Sequence, residues 1–161
     1  MNSMSANKLN TIIYDLEECF DGRPWYGDSL MGKLDSLDWQ YVNERHYGKK
    51  SIAVLVQHIL NWRVFVLKKL EGDLDYDLII DGPNDWTEVN ITTKEEWEGL
   101  KFELKQTQED ILGILSNSSD DLLEKKVPGK KYTFGNVLPS IAQHDIYHLG
   151  QIAMLYTMGK S

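Results

Sequence analysis

Apolar side chains recur at steps of three and four residues in four separate stretches of this chain, a spacing that only an amphipathic α-helix uses. Leu9, Ile13, Leu16 and Phe20 share one helical face, and Asp21-Gly22-Arg23-Pro24 stops the helix that carries them. Ile52, Leu55, Ile59, Trp62, Val66 and Leu70 mark a second helix from Ser51 to Glu71, with Ser51 as its N-cap and Gly72 as its end. Thr93-Lys94-Glu95-Glu96 is a capping box that opens a third, striped by Trp97, Leu100, Leu104, Ile111 and Ile114 and fading in Ser116-Asn117-Ser118-Ser119. The last spans roughly Asn136 to Met158, stops at Gly159, and accommodates Pro139 best in or near its first turn. Between the first two helices, Trp25 to Lys50 reads as loop and short helix with Leu30, Leu34 and Leu37 as buried contacts. Gly72 to Thr92 is acidic, holds Pro83 and has no helical period; at about twenty residues it is longer than the usual connection between helices. No segment alternates as a strand would. These features predict an all-α four-helix bundle with helices of about 30 Å, in one domain over residues 1–161.

Charge and composition narrow the function. Seventeen basic against twenty-five acidic side chains give a formal charge of −8. A nucleic-acid or anionic-membrane binder needs a basic face to displace counterions, so neither partner is expected. No stretch approaches the ~20 apolar residues of a membrane span, and Met1-Asn2-Ser3-Met4 lacks the basic-then-apolar order of a signal peptide. The single cysteine, Cys19, excludes an internal disulfide and points to a reducing cytoplasm; on the first helix's apolar stripe it reads as an inert core thiol.

Chemistry concentrates on the last helix. Its inward seam reads Val137, Ile141, His144, His148, Gln151 or Ile152, and Leu155, so two histidines four residues apart stand where the pattern expects apolar side chains. Imidazoles one turn apart can aim their nitrogens at a common point ~2.0–2.1 Å from each, as a metal site requires. His58, on the stripe of Leu55, Trp62 and Phe65, repeats the anomaly on the second helix. Burying three imidazoles without a shared partner leaves polar nitrogens uncompensated at ~1–3 kcal/mol each, which a bound divalent ion would relieve. The competing reading has each ring satisfied by a neighbouring carbonyl or carboxylate. His46, in the polar Glu44-Arg45-His46-Tyr47-Gly48 loop, reads as a solvated histidine, and Asp73, Asp75 and Asp77 as a solvated acidic run. No Walker motif, GxGxxG or GxSxG turn supports nucleotide use or serine hydrolysis.

Gln143-His144-Asp145-Ile146-Tyr147-His148-Leu149-Gly150-Gln151-Ile152 resembles the C-terminal signature of the DinB-like (DinB/YfiT) metalloenzymes, H-D-x-Y-H-x-G-Q-I. Ser51-Ile52-Ala53 leading through His58 to Trp62 is similar to that family's second-helix motif, and Pro24-Trp25-Tyr26-Gly27 and Asn84-Asp85-Trp86 resemble two of its loop elements. The agreement spans nearly the whole chain in the expected order, departing at Thr87, where relatives often carry proline. The resemblance implies an up-down-down-up order of helices with Gly72–Thr92 as the crossover. It also implies a divalent-metal site on His58, His144 and His148, homodimers, and use of low-molecular-weight thiols such as bacillithiol or mycothiol.

Three histidine ligands leave positions open for water or substrate, and a metal there makes a thiolate or hydroxide accessible near neutral pH. Imidazole suits Zn, Ni, Fe and Cu alike, so the ligand set does not select the metal. Asp145 occupies the place of the zincin glutamate but is one methylene shorter and about 100° off the ligand face, which suits orienting an imidazole or capping a helix better than acting as base. Gln151 is placed to hydrogen-bond a metal water or a backbone group, Tyr147 to act as a nearby donor, and Trp25, Trp62 and Trp86 to wall the pocket. The leading expectation is a cytoplasmic metal-dependent enzyme acting on a small-molecule substrate, a thiol S-transferase or a hydrolase. The alternatives are a non-catalytic metal- or ligand-binding stress protein and a purely structural dimeric bundle.

Overall fold

In a computed structural model, residues 7–48 and 50–160 are described; the Met1–Met4 reading lies outside them. Six α-helices follow in order: α1 (Lys8–Asp21), α2 (Leu30–Ser36), α3 (Ile52–Leu70), α4 (Lys94–Ser116), α5 (Asp121–Glu124) and α6 (Phe134–Gly159), with one 3-10 turn at Trp39–Tyr41. Among the described residues there is no strand, only an isolated bridge between Lys126 and Thr133. The long helices α1, α3, α4 and α6 pack in a closed ring in which α6 lies between α1 and α3, and α4 lies on the other side between the same two. Among the described residues no helix is long and apolar enough to cross a membrane.

Caps set the helix limits. Ser51 accepts from Val54 N–H to start α3, and the Thr93–Glu96 capping box starts α4. Gly72 follows the end of α3 with φ +90°, a left-handed conformation that glycine adopts without steric cost. Helix directions follow from hydrogen bonds near their ends. Asn43, before α3, exchanges two bonds with the backbone of Ile91, before α4, so α3 and α4 begin at one end of the molecule. Lys8 and Leu9 N–H donate to Asp120, just past α4, so α1 starts where α4 finishes. The 71–93 segment therefore spans the length of α3 to return the chain.

The core forms two apolar layers. One gathers Phe20, Leu34, Ile59, Trp97, Leu104 and Leu149; the other gathers Leu16, Phe65, Val66, Ile111, Leu138 and Ile141. Each fully buried Leu, Ile or Phe contributes about 1.5–3 kcal/mol. Between the layers the facing positions are polar: Arg63 on α3, Gln108 on α4 and Asp145 on α6, all buried. Arg63 donates to Gln108 Oε1 at 2.7 Å and to Asp145 Oδ2, and its guanidinium lies 4.5 Å from the Phe20 ring centre. Gln108 in turn donates to the Leu16 carbonyl, which brings α1 into the same layer.

Three local expectations are corrected. α6 begins at Phe134, so Pro139 sits in its second turn; the carbonyl that loses a partner belongs to Gly135, at the helix start. Gly159 is inside α6 as its last residue, not beyond it. The buried arc of α6 is wider than the seam read from sequence: Leu138, Ala142, Asp145 and Leu149 are buried while Val137 and Leu155 are half-buried, because α6 touches α1, α2, α3 and α5. Leu30 and Leu34 are fully buried and Leu37 nearly so, as their spacing implies.

Candidate metal centre

α3 and α6 cross so that His58 meets the His144–His148 pair. His144 Nε2 lies 3.0 Å from His58 Nε2 and 3.1 Å from His148 Nε2, and one nitrogen from each ring lies within 4.8 Å of the other two. Nitrogens held ~2.0–2.1 Å from one tetrahedral ion stand roughly 3.3 Å apart, so the spacing fits a shared ligand point.

The far side of two rings decides what those nitrogens carry. His58 Nδ1 donates to the Asp85 carboxylate at 2.8 Å and lies 3.1 Å from the Asp85 carbonyl. His148 Nδ1 donates to Gln151 Oε1 at 2.6 Å. Both protons are thus on Nδ1, and both Nε2 atoms face inward as lone pairs. His144 Nε2 can offer one hydrogen to two such lone pairs, so the cluster cannot satisfy itself; a cation satisfies all three at once. Burial pushes the His144 imidazole down to about 3, helped by the facing rings of His148 and His58. Burial also lowers His58, against the pull of Asp85, and lowers His148, against its hydrogen bond to Gln151. All three rings are neutral near pH 7, the form that binds metal.

Asp85 is the residue the sequence reading did not single out for this role. Its Oδ1 accepts from Trp62 Nε1 (2.8 Å) as well as from His58, and its Oδ2 accepts from Asp81 N–H (2.8 Å). Asn61 Nδ2 donates to the Asp85 carbonyl and to Thr87 Oγ1, both at 3.1 Å. His58, Asn61 and Trp62 are three and four residues apart on α3, so one helical face grips a single loop residue; that spacing was the available signal. Trp86 stacks on His58 with ring centres 3.7 Å apart and planes within 3°.

A cavity of about 390 Å³ opens beside His58 and His144, walled by Trp62, Val66, Trp86, Val137 and Ile141. Trp62 lines this cavity. Trp25 does not: it is 96% exposed and belongs to a separate cavity between α1 and α6 that contains Cys19 and none of the three histidines. Asp145 faces Arg63 rather than a ligand imidazole, because the buried guanidinium needs its charge matched. Gln151 holds His148 instead of reaching toward an open ligand position. His46 is half-buried 3.6 Å from Glu44, not solvated. Asp73 accepts from the N–H groups of Asp75 and Tyr76 and Asp77 pairs with Lys130, so these two stabilise the turn after α3. Burial pushes the Cys19 thiol up to about 12, with the Asp145 charge adding to it, so this sulfur is inert.

A family model of the DinB superfamily matches residues 28–152, most of the chain. The chain belongs to the DinB superfamily. No curated protein and no solved structure matches it. The span shared with the DinB superfamily contains His58, Asp85, His144 and His148 and excludes Trp25, in line with where the structure puts each of them.

Proposed function

We propose that this DinB-superfamily chain is a cytoplasmic metal-dependent enzyme in which His58, His144 and His148 hold a divalent ion and a small-molecule substrate enters the adjoining cavity. The observation that carries this reading is the convergence of three Nε2 atoms, two of them fixed as lone pairs by acceptors behind the ring. Zinc, nickel and iron all suit such ligands. Bound there, the ion supplies Lewis acidity that lets a thiol or a water lose its proton near neutral pH.

The chain's own contribution is positional. Asp85 and Gln151 fix ring orientation and tautomer, Trp86 covers one face of His58, and Trp62, Val137 and Ile141 give the reaction a largely apolar surround. Asp145 is engaged by Arg63 and bonds none of the three imidazoles. Inert Cys19 leaves the nucleophile to come from outside the chain, which favours a low-molecular-weight thiol transferase; hydrolysis at the same position is the second branch. Exposed Tyr14, Trp25, Ile146 and Tyr147 on and beside α1 and α6 support a homodimer.

Protein purified without an affinity tag is expected to contain stoichiometric divalent metal by elemental analysis, and the His144→Ala/His148→Ala variant none. Equal absence in both overturns the reading. With metal bound, a panel of thiols and a model electrophile separates the branches: metal-dependent thioether formation supports the transferase, and ester or amide hydrolysis without thiol supports the hydrolase.

A further inference from the structure

We propose that the cavity beside His58 and His144 takes a small apolar molecule that carries no carboxylate. The inference rests on the reading of that cavity as the substrate chamber of the metal centre, and it narrows the thiol branch to thiols without carboxylate groups.

Three observations carry it. The walls are apolar and aromatic: Trp62, Val66, Trp86, Val137 and Ile141 form them, and Ile80 stands at the mouth, 73% exposed. At about 390 Å³ the space suits a small molecule. The second observation is charge. Of the lining residues Arg63 alone is basic, and its buried guanidinium is matched by Asp145 and Gln108. Setting aside the Arg63–Asp145 pair, which cancels, the lining keeps Asp81 and Asp85, two negative charges that equal the charge of one divalent ion. Without the ion a carboxylate entering the chamber meets two negative charges and no free cation; with it, the ion is the one cation within reach and Asp81 and Asp85 already offset its charge. The third is Lys50, the cation beside Trp86. Its ammonium lies over the Trp86 ring, 5.2 Å from the ring centre, pairs with Glu88 at 4.0 Å and does not line the cavity. A carboxylate desolvated against apolar walls without a counter-charge is rejected strongly.

Two matched titrations test this, read from the indole N–H resonances of Trp62 and Trp86. On metal-free protein, benzyl alcohol is expected to bind about tenfold more tightly than benzoate, the penalty of an unmatched charge. On zinc-loaded protein, phenylmethanethiol is expected to bind about tenfold more tightly than 4-(sulfanylmethyl)benzoate, which keeps its ring and sulfur and adds one carboxylate. Ser140→Lys, an exposed change on the cavity wall, places a cation at the mouth and is expected to close at least half of both gaps. Benzoate or 4-(sulfanylmethyl)benzoate binding as tightly as its neutral partner overturns the proposal, and so does a chamber that admits none of the four probes. Zinc affinity is measured separately by competition with a chromophoric chelator. A protein that prefers benzyl alcohol yet binds no zinc refutes the metal reading and leaves the selectivity standing; one that binds zinc and prefers carboxylates does the reverse.

Discussion

The Asp85 carboxylate receives hydrogen bonds from the His58 ring, the Trp62 indole and the Asp81 amide. An asparagine there keeps one accepting oxygen and turns the other into a donor, which then faces a donor already present. Asp85→Asn is expected to weaken metal binding by about 10–100-fold while leaving helix content unchanged, as measured by chelator competition and circular dichroism. Unaltered affinity would transfer the orienting role to the Asp85 carbonyl. The α3 half of this contact was legible in the spacing of His58, Asn61 and Trp62, but its partner was not, because 27 residues separate Asp85 from His58 and the loop between them has no period that would place its side chains. The ligands themselves were legible: His58, His144 and His148 interrupt apolar stripes, and the stripe fixes the direction of each ring. Thr87 also gains a function in three dimensions. Its hydroxyl accepts from Asn61 and donates to the Pro83 carbonyl, a link that proline at this position cannot make.

At the scale of elements, the four long helices were readable because each has an apolar stripe, and the reading of two of them was sharpened by a cap: Ser51 for α3 and the Thr93–Glu96 box for α4. The start of α6 was not, because Pro139 resembles a boundary signal and is tolerated one turn further in. Nor was the polar layer joining α3, α4 and α6, since Arg63, Gln108 and Asp145 are each a single polar residue of a kind that more often faces solvent. Burying this pair carries a large desolvation cost, so its two halves depend on each other. Arg63→Met is expected to lower unfolding free energy by about 3–5 kcal/mol in urea denaturation, whereas Arg63→Met/Asp145→Leu is expected to recover most of that loss. Additive losses in the double variant would show that Arg63 acts through Gln108 and Phe20 instead of through its ion partner.

For the molecule as a whole, the three depressed imidazoles link stability to acidity. Burial lowers all three in the folded chain, His144 to about 3, against an ordinary value of 6.5. Below that ordinary value the unfolded chain takes up protons first, so acid favours unfolding. Metal-free protein is expected to hold its full stability above about pH 6.5 and lose it progressively toward pH 3, as followed by thermal melts across that range. His58→Gln/His144→Gln/His148→Gln should flatten that slope; an equally steep decline would assign it to carboxylates elsewhere. Adding zinc should raise the melting temperature at neutral pH in a concentration-dependent way, since the ion binds the folded chain in preference to the unfolded one. The flat contact between Trp86 and His58 gives these titrations a built-in lamp. An indole 3.7 Å from a prospective ligand ring registers in its emission any charge that ring acquires, so occupancy of the centre can be followed in unlabelled protein by light alone.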